Sequence, residues 1–295
     1  MLMPLSTSES VQAFTKALVG NNYSDHTVKA YSTDIMQFLE WVEENRVDWN
    51  NPLRFSRIDI VEFMNHLASI KETGVTRVRK LAAIRKFFSF MQENNIIQGN
   101  PAETVKGAIR EEKNPEVLFK NEYKALLYQA LGNTRDYAIL MVFLQTGIRV
   151  SELVNLRVGD IDLENKTLTV RQGKGKKDRS IPLEEQALKA IKDYKKERAG
   201  ELIIEEDVFF LAKNGTSLDQ RTVRYIVHKY LEQAGVKKKA SVHTLRHTYG
   251  THKVDKGMSI PTLKELLGHR KMETTYKYIH LAKTSLRQEQ EATAL

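Results

Sequence analysis

The sequence predicts a mainly α protein in two parts: an all-helical amino-terminal domain, then an α+β domain carrying a small antiparallel sheet. Three observations lead there. Apolar residues recur at spacings of three and four through most of the first hundred positions. A proline and a polar stretch then interrupt that pattern, and beyond Phe119 helical periodicity mixes with three short runs of strand-like alternation. At 295 residues the chain is also longer than one ordinary core requires.

Taken in order, Ser24 is placed to cap a helix running to about Glu44, with Val28, Tyr31, Ile35, Phe38, Leu39 and Val42 on one face. A shorter helix follows near Ile58–Ile70 and ends at Gly74. A long one runs from about Val75 to Glu93, turning Val78, Leu81, Ile84, Phe88 and Met91 inward. Its other face holds Arg77, Arg79, Lys80, Arg85 and Lys86, either a solvated basic face or one that tracks phosphates. Asn100-Pro101 closes this block, because the residue before proline is pushed out of the helical region. The expected division is a helical domain over 1–106, a polar linker over 107–117 and a second domain over 118–295.

In the second domain, helices are expected near Asn121–Leu131 and Arg135–Gln145, and another begins at Val150. The runs Asp160–Leu163, Thr167–Arg171 and Arg179–Leu183 form a meander, with Glu164-Asn165-Lys166 and the Gly173-Lys174-Gly175 segment as its turns. Helices resume over Glu184–Ala199 and Asp219–Ala234. The remainder is mainly helical and holds five of the eight histidines.

Composition narrows the chemistry. The absence of cysteine excludes disulfide scaffolds, cysteine zinc sites, iron–sulfur clusters and thiol nucleophiles. The longest unbroken apolar run, Tyr137 to Leu144, is too short to span a bilayer, and no secretory signal is visible at the amino terminus, so a cytoplasmic protein without membrane partners is expected. Lys and Arg number 46 against 37 Asp and Glu, a net +9 that suggests a polyanionic partner. Residues 1–110 hold 13 basic and 12 acidic residues, so nearly all the excess lies in the later part.

Five polar features stand out there. Arg149 sits at a helix–turn junction beside Glu152, an arrangement that also suits a surface ion pair. Lys174 lies between glycines in a turn without P-loop spacing. His243 and Arg246 are three apart on one helix face. Leu266-Leu267-Gly268-His269 reads as a helix end. Tyr276 and Tyr278 lie in a polar, threonine-rich helix. His243, His247 and His252 invite a zinc reading, but no H-E-x-x-H or comparable carboxylate spacing accompanies them. A serine hydrolase lacks its G-x-S-x-G elbow. Two arginines, two histidines, a lysine and a tyrosine suit a phosphodiester: guanidinium forks bind non-bridging oxygens, and a phenol can attack phosphorus.

Order and spacing then become recognisable. TGIRVSELVNL (146–156), QGKGKKDRSIPL (172–183), HTLRHTYGTH (243–252) and LLGHRKMETTYKYIH (266–280) resemble the tyrosine recombinase family, in its Xer-like branch. The family pattern falls on Arg149, Lys174, His243, Arg246, His269 and Tyr278, the last nine residues after the final histidine. HTVKAYSTDIMQFLEWV (26–42) and TRVRKLAAIRKFFSFMQENNIIQGNP (76–101) resemble the family's core-binding domain, so nearly the whole chain is covered. Tyr276 is an additional tyrosine, and Glu152 stands where members often carry an acidic helper. The arm-binding domain of lambda-type integrases is expected to be absent, since only about 20 residues precede the first core-binding helix.

The resemblance implies a DNA-binding domain and a catalytic domain that cut and rejoin duplex DNA without metal or nucleotide cofactor. Tyr278 attacks the scissile phosphate to form a 3′-phosphotyrosyl bond. Arg149 and Arg246 hold the non-bridging oxygens, and His269 adds a hydrogen bond. His243 accepts the tyrosine proton and Lys174 protonates the leaving 5′-oxygen. It further implies a homotetramer, or a heterotetramer with a sister recombinase, on two DNA recombination sites, and admits a DNA translocase or accessory protein as a partner. Chromosome-dimer resolution is the expected role, with integration or excision of a mobile element the alternative. A type IB topoisomerase and a DNA-binding regulator without catalysis are the other classes weighed.

Overall fold

A computed structural model describes residues 7–45, 55–108, 115–171, 178–200, 204 and 207–292, with side chains between 8 and 282. The chain divides into two compact units, Met1–Lys113 and Asn114–Leu295.

The first unit contains four helices among the described residues: α1 (Thr7–Gly20), α2 (Asp25–Asn45), α3 (Arg57–Ser69) and α4 (Gly74–Glu93). The caps follow the sequence. The Thr27 amide donates to Ser24 Oγ at 3.3 Å ahead of α2, and the Thr76 amide to Thr73 Oγ1 at 3.2 Å ahead of α4. Phe38 anchors the core against Phe63 and Phe88, with ring centroids 5.3 and 6.1 Å away in edge-on contacts. Helix α1, not anticipated from the sequence, adds Phe14 and Leu18 to that core, and Ala102 and Val105 from the exit segment are buried in it too.

The basic face of α4 is less uniform than expected. Lys80 does not face solvent: it is only 4% exposed, pairs with Asp34 at 3.5 Å and donates to Gln37. A buried ammonium needs such partners, since its desolvation is otherwise costly. Arg85 reaches the carbonyls of Ala102, at 3.1 Å, and of Val105, and so ties the exit segment to the helix. Arg79 is exposed and paired with Asp34, while Arg77 and Lys86 are half-buried.

The second unit starts earlier than expected. Val117, read as linker, is buried beside Tyr249, and the Leu118 amide donates to Thr248 Oγ1 at 2.8 Å. Its helices are α5 (Lys120–Gln129), α6 (Thr134–Thr146), α7 (Val150–Val154), α8 (Glu185–Arg198), α9 (Gln220–Gln233), α10 (Val242–Asp255), α11 (Ile260–Leu267) and α12 (Glu273–Ala292). Strands β1 (Ile161–Asp162), β2 (Thr167–Val170) and β3 (Arg179–Pro182) form an antiparallel sheet in chain order, with Leu168 opposite both Ile161 and Ile181. Helix α6 carries the apolar run Ala138 to Phe143, buried on every side, as expected for a helix packed against both α8 and α10. A smaller cluster, Tyr249, Leu263, Leu267, Tyr278 and Leu281 with Val117, joins α10, α11 and α12. That cluster positions the candidate nucleophile.

Candidate active site

The carboxyl end of α11 organises the site. Ser259 caps its start, and Gly268 ends it in the left-handed conformation, φ 63°. The final carbonyls of a helix lack intrahelical partners and carry its negative dipole end. Three guanidiniums take them in succession. Arg179 Nε donates to the Leu266 carbonyl at 2.7 Å, Arg246 Nη2 to Leu267 at 2.6 Å, and Arg149 Nη2 to Gly268 at 3.1 Å. One helix end thus brings Arg149 and Arg246 together, although they are 97 positions apart in the chain.

A second anchor fixes each arginine. Arg246 Nη1 donates to the Gly147 carbonyl at 2.6 Å. Gly147 must be glycine twice over: its φ is +62°, and a Cβ there would lie 2.5 Å from the Tyr249 ring and 2.9 Å from Leu267. Arg149 precedes α7, and Glu152 accepts from its amide at 2.7 Å and from its guanidinium at 2.8 Å. Arg179 grips the same carboxylate at 2.7 and 3.1 Å. Burial alone would raise the Glu152 carboxyl, but hydrogen bonds from Arg179 and the Arg149 amide, with the charge of both arginines, hold it at about 2. Glu152 is therefore an ionised brace for two arginines.

Arg246 is held by neutral carbonyls, and among the described residues no carboxylate lies at ion-pair distance from it. Burial and the neighbouring Arg149 charge lower it to about 10, so its positive charge is held at a cost. An anion entering beside it would relieve that. Arg149 is the more open of the pair, its side chain 38% exposed.

Tyr278 has no exposed surface. Its ring lies against Gly250 of α10, where a Cβ would come within 2.7 Å of it, and stacks parallel to His269 at 6.2 Å between centroids. Its hydroxyl sits 3.2 Å from His247 Nδ1. Burial pushes the phenol up, and the charge of Arg246, a hydrogen bond from that guanidinium and the Arg149 charge pull it back. His269 Nδ1 is engaged by the buried Thr275 hydroxyl at 2.9 Å, which leaves Nε2 for another partner. Burial, then the charges of Arg246, Arg149 and Lys277, lower His269 to about 3, so it is a neutral imidazole. Tyr276, two residues earlier, is 51% exposed and outside this arrangement.

Of the six residues singled out for catalysis, Arg149, Arg246, His269 and Tyr278 converge. His243 lies in the first turn of α10 with an exposed edge, and the partial desolvation of its ring, with nearby cations led by Arg246, lowers its imidazole. Lys174 lies outside the described residues. Two residues were missed. Arg179 shares a strand face with buried Ile181, and an arginine at an inward position must find partners there. His247 was considered only for zinc, although it follows Arg246 directly on α10.

The arrangement can grip a tetrahedral anion with two guanidiniums and a neutral imidazole N–H while presenting a phenol to it. Residues 116–285 match the Phage integrase family, and residues 11–95 match the Phage integrase N-terminal SAM-like domain. The chain is 35% identical to a tyrosine recombinase of Pseudothermotoga lettingae, over 88% of each protein. It is 32% identical to tyrosine recombinase XerC of Anoxybacillus flavithermus, over 91% of each. Among solved structures, XerA recombinase is 29% identical with a TM-score of 0.57, over 98% of this chain and 99% of that one. XerH bound to a palindromic difH substrate shares the fold at a TM-score of 0.77 and 21% identity, over 98% and 84%. The chain belongs to the phage integrase family, and within it to the tyrosine recombinases, enzymes that break and rejoin DNA.

Proposed function

We propose that the protein is an Xer-like site-specific recombinase that cuts and rejoins duplex DNA through a phosphotyrosyl intermediate on Tyr278. The observation that carries this reading is the convergence of a buried phenol, two guanidiniums and a neutral imidazole, with no carboxylate at ion-pair distance from Arg246 among the described residues. Arg149 and Arg246 hold the scissile phosphate and offset the charge that accumulates as phosphorus becomes pentavalent. His269 donates from Nε2, a role its Thr275 contact orients. The tyrosine proton passes to a histidine of α10. Lys174 protonates the departing 5′-oxygen, an alkoxide that leaves poorly without an acid. The phosphotyrosyl bond conserves the phosphoester, so rejoining consumes no nucleotide.

The helical unit over 1–106 binds DNA through α4, the segment that follows it and ends before Val117 links it to the catalytic unit, and recombination takes place in a cytoplasmic tetramer of this chain, or of this chain with a sister recombinase, on two sites. A DNA translocase or other accessory protein completes the proposed assembly. The XerC relatives, matched over nearly their full length, favour chromosome-dimer resolution over mobile-element integration.

The test starts from nicked duplexes of random sequence, selected for retention on the protein in detergent. Two differently labelled duplexes bearing the selected sequence are then mixed with the protein in EDTA, without nucleotide. Recombinant duplexes are the expected product. Relaxation of a supercoiled plasmid without partner exchange would instead indicate a topoisomerase.

A further inference from the structure

We propose that His247 takes the proton from Tyr278, in place of the His243 that the family pattern suggests. This assignment rests on Tyr278 being the nucleophile. Three imidazoles are candidates for the acceptor, and geometry separates them. His247 directs Nδ1 at the hydroxyl from 3.2 Å, with its ring tilted 49° to the tyrosine ring. His269 lies parallel to that ring, at 6°, and spends its own Nδ1 on Thr275. His243 sits a turn earlier on α10 and faces solvent.

Burial makes a protein acceptor necessary. Tyr278 has no exposed surface, so bulk water cannot take its proton where it lies. Gly250 lets the ring close against α10, and this is what brings the hydroxyl within reach of His247 on the same helix.

The groups around His247 govern when it accepts. His243 and Arg246 share its helix, Lys277 and Tyr278 face it from α12, and His269 lies in the segment before α12. Burial and the Lys277, His243 and Arg246 charges keep the imidazole neutral at physiological pH, the state an acceptor must start from. A phosphodiester beside Arg246 offsets those positive charges and raises the proton affinity of His247. Substrate thus strengthens the base that attacks it.

The step balances. The Tyr278 O–H bond breaks and its proton moves to Nδ1 of His247, which keeps its Nε2 proton and becomes imidazolium. The phenolic oxygen bonds to phosphorus, and the bond from phosphorus to the 5′-oxygen breaks, with that oxygen protonated by Lys174. Rejoining returns the proton from His247 to the phenol.

The test uses a nicked duplex with sulfur at the scissile 5′-bridging position, which removes the need for an acid. Single-turnover covalent complex formation is followed from about pH 6 to pH 10 for wild type, His247→Gln and His243→Gln, at saturating protein so that DNA binding is held constant. His247→Gln, which preserves a hydrogen bond but accepts no proton, is expected to lose about 10²-fold or more near pH 7. That loss should shrink about tenfold per pH unit as the phenol ionises unaided. His243→Gln is expected to show a deficit of the same size at every pH. A wild-type profile for His247→Gln overturns the proposal. So does a deficit that stays constant with pH, which marks a histidine that only positions the tyrosine. A pH-dependent deficit confined to His243→Gln restores His243 as the base. Covalent complex from Tyr278→Phe would defeat the underlying nucleophile assignment, a result separate from all of these.

Discussion

At the scale of single residues, the site depends on one glycine as much as on its charged groups. Gly250 lies within α10, where alanine would favour an isolated helix by about 1 kcal/mol. The Tyr278 ring occupies the space that a Cβ would need, with three ring atoms within 2.7–2.9 Å of it. Gly250→Ala should therefore displace the phenol, reduce covalent complex formation on the order of 10²-fold and leave DNA affinity unchanged, as a shift assay can check. Protonation gives a second prediction. His247 and His269 are each lowered to about 3 in the folded protein, from an ordinary value of 6.5. Folding then favours the neutral rings: their contribution is fully present above pH 6.5 and is lost as pH falls from there towards 3. Glu152 also contributes stability that is lost in acid, but only below its ordinary 4.5 and down to about 2. The thermal midpoint should fall between about pH 7 and pH 5 in wild type and less steeply in His247→Gln with His269→Gln. An equal fall in both would contradict the neutral assignment.

At the scale of elements, the histidine, arginine and tyrosine spacings are legible because each lies within one helix or a short turn. What joins them is not. Arg179 meets the Leu266 carbonyl across 87 positions, and only the folded unit shows that α11 ends against three guanidiniums. Helix α1 escaped notice although Val11, Phe14 and Leu18 stand three and four apart, because that pattern covers barely two turns. Helix α4 shows the same limit. Periodicity places Lys80 and Arg85 on its polar side, yet Asp34 draws one inward and the exit-segment carbonyls hold the other. A prediction follows for the basic residues. Arg85→Ala should lower the thermal midpoint of the first unit, because it removes charged hydrogen bonds to two carbonyls, each worth about 1.5–3 kcal/mol. Arg79→Ala with Lys86→Ala should reduce the slope of log K against log salt by about 0.9 for each phosphate no longer neutralised. An unchanged slope would make this helix a structural element alone.

At the scale of the whole molecule, two units with separate cores share one chain, and the positive excess lies beyond residue 110, in the part that holds the candidate site. The mixed α+β character of that part was readable from three short alternating runs. Its beginning was not, because Val117 is buried through a partner on α10 more than a hundred positions away. The proposed reaction depends on one oxygen atom. Two tyrosines stand two residues apart on α12, Tyr278 enclosed among Gly250, His247 and His269, and Tyr276 exposed. The direct test is to trap the covalent complex on a nicked duplex, digest it with protease and locate the nucleotide-bearing residue by mass spectrometry. The nucleotide is expected on Tyr278, with Tyr278→Phe giving no adduct and Tyr276→Phe giving it at nearly the wild-type level. An adduct on Tyr276, or one that survives Tyr278→Phe, would contradict that expectation.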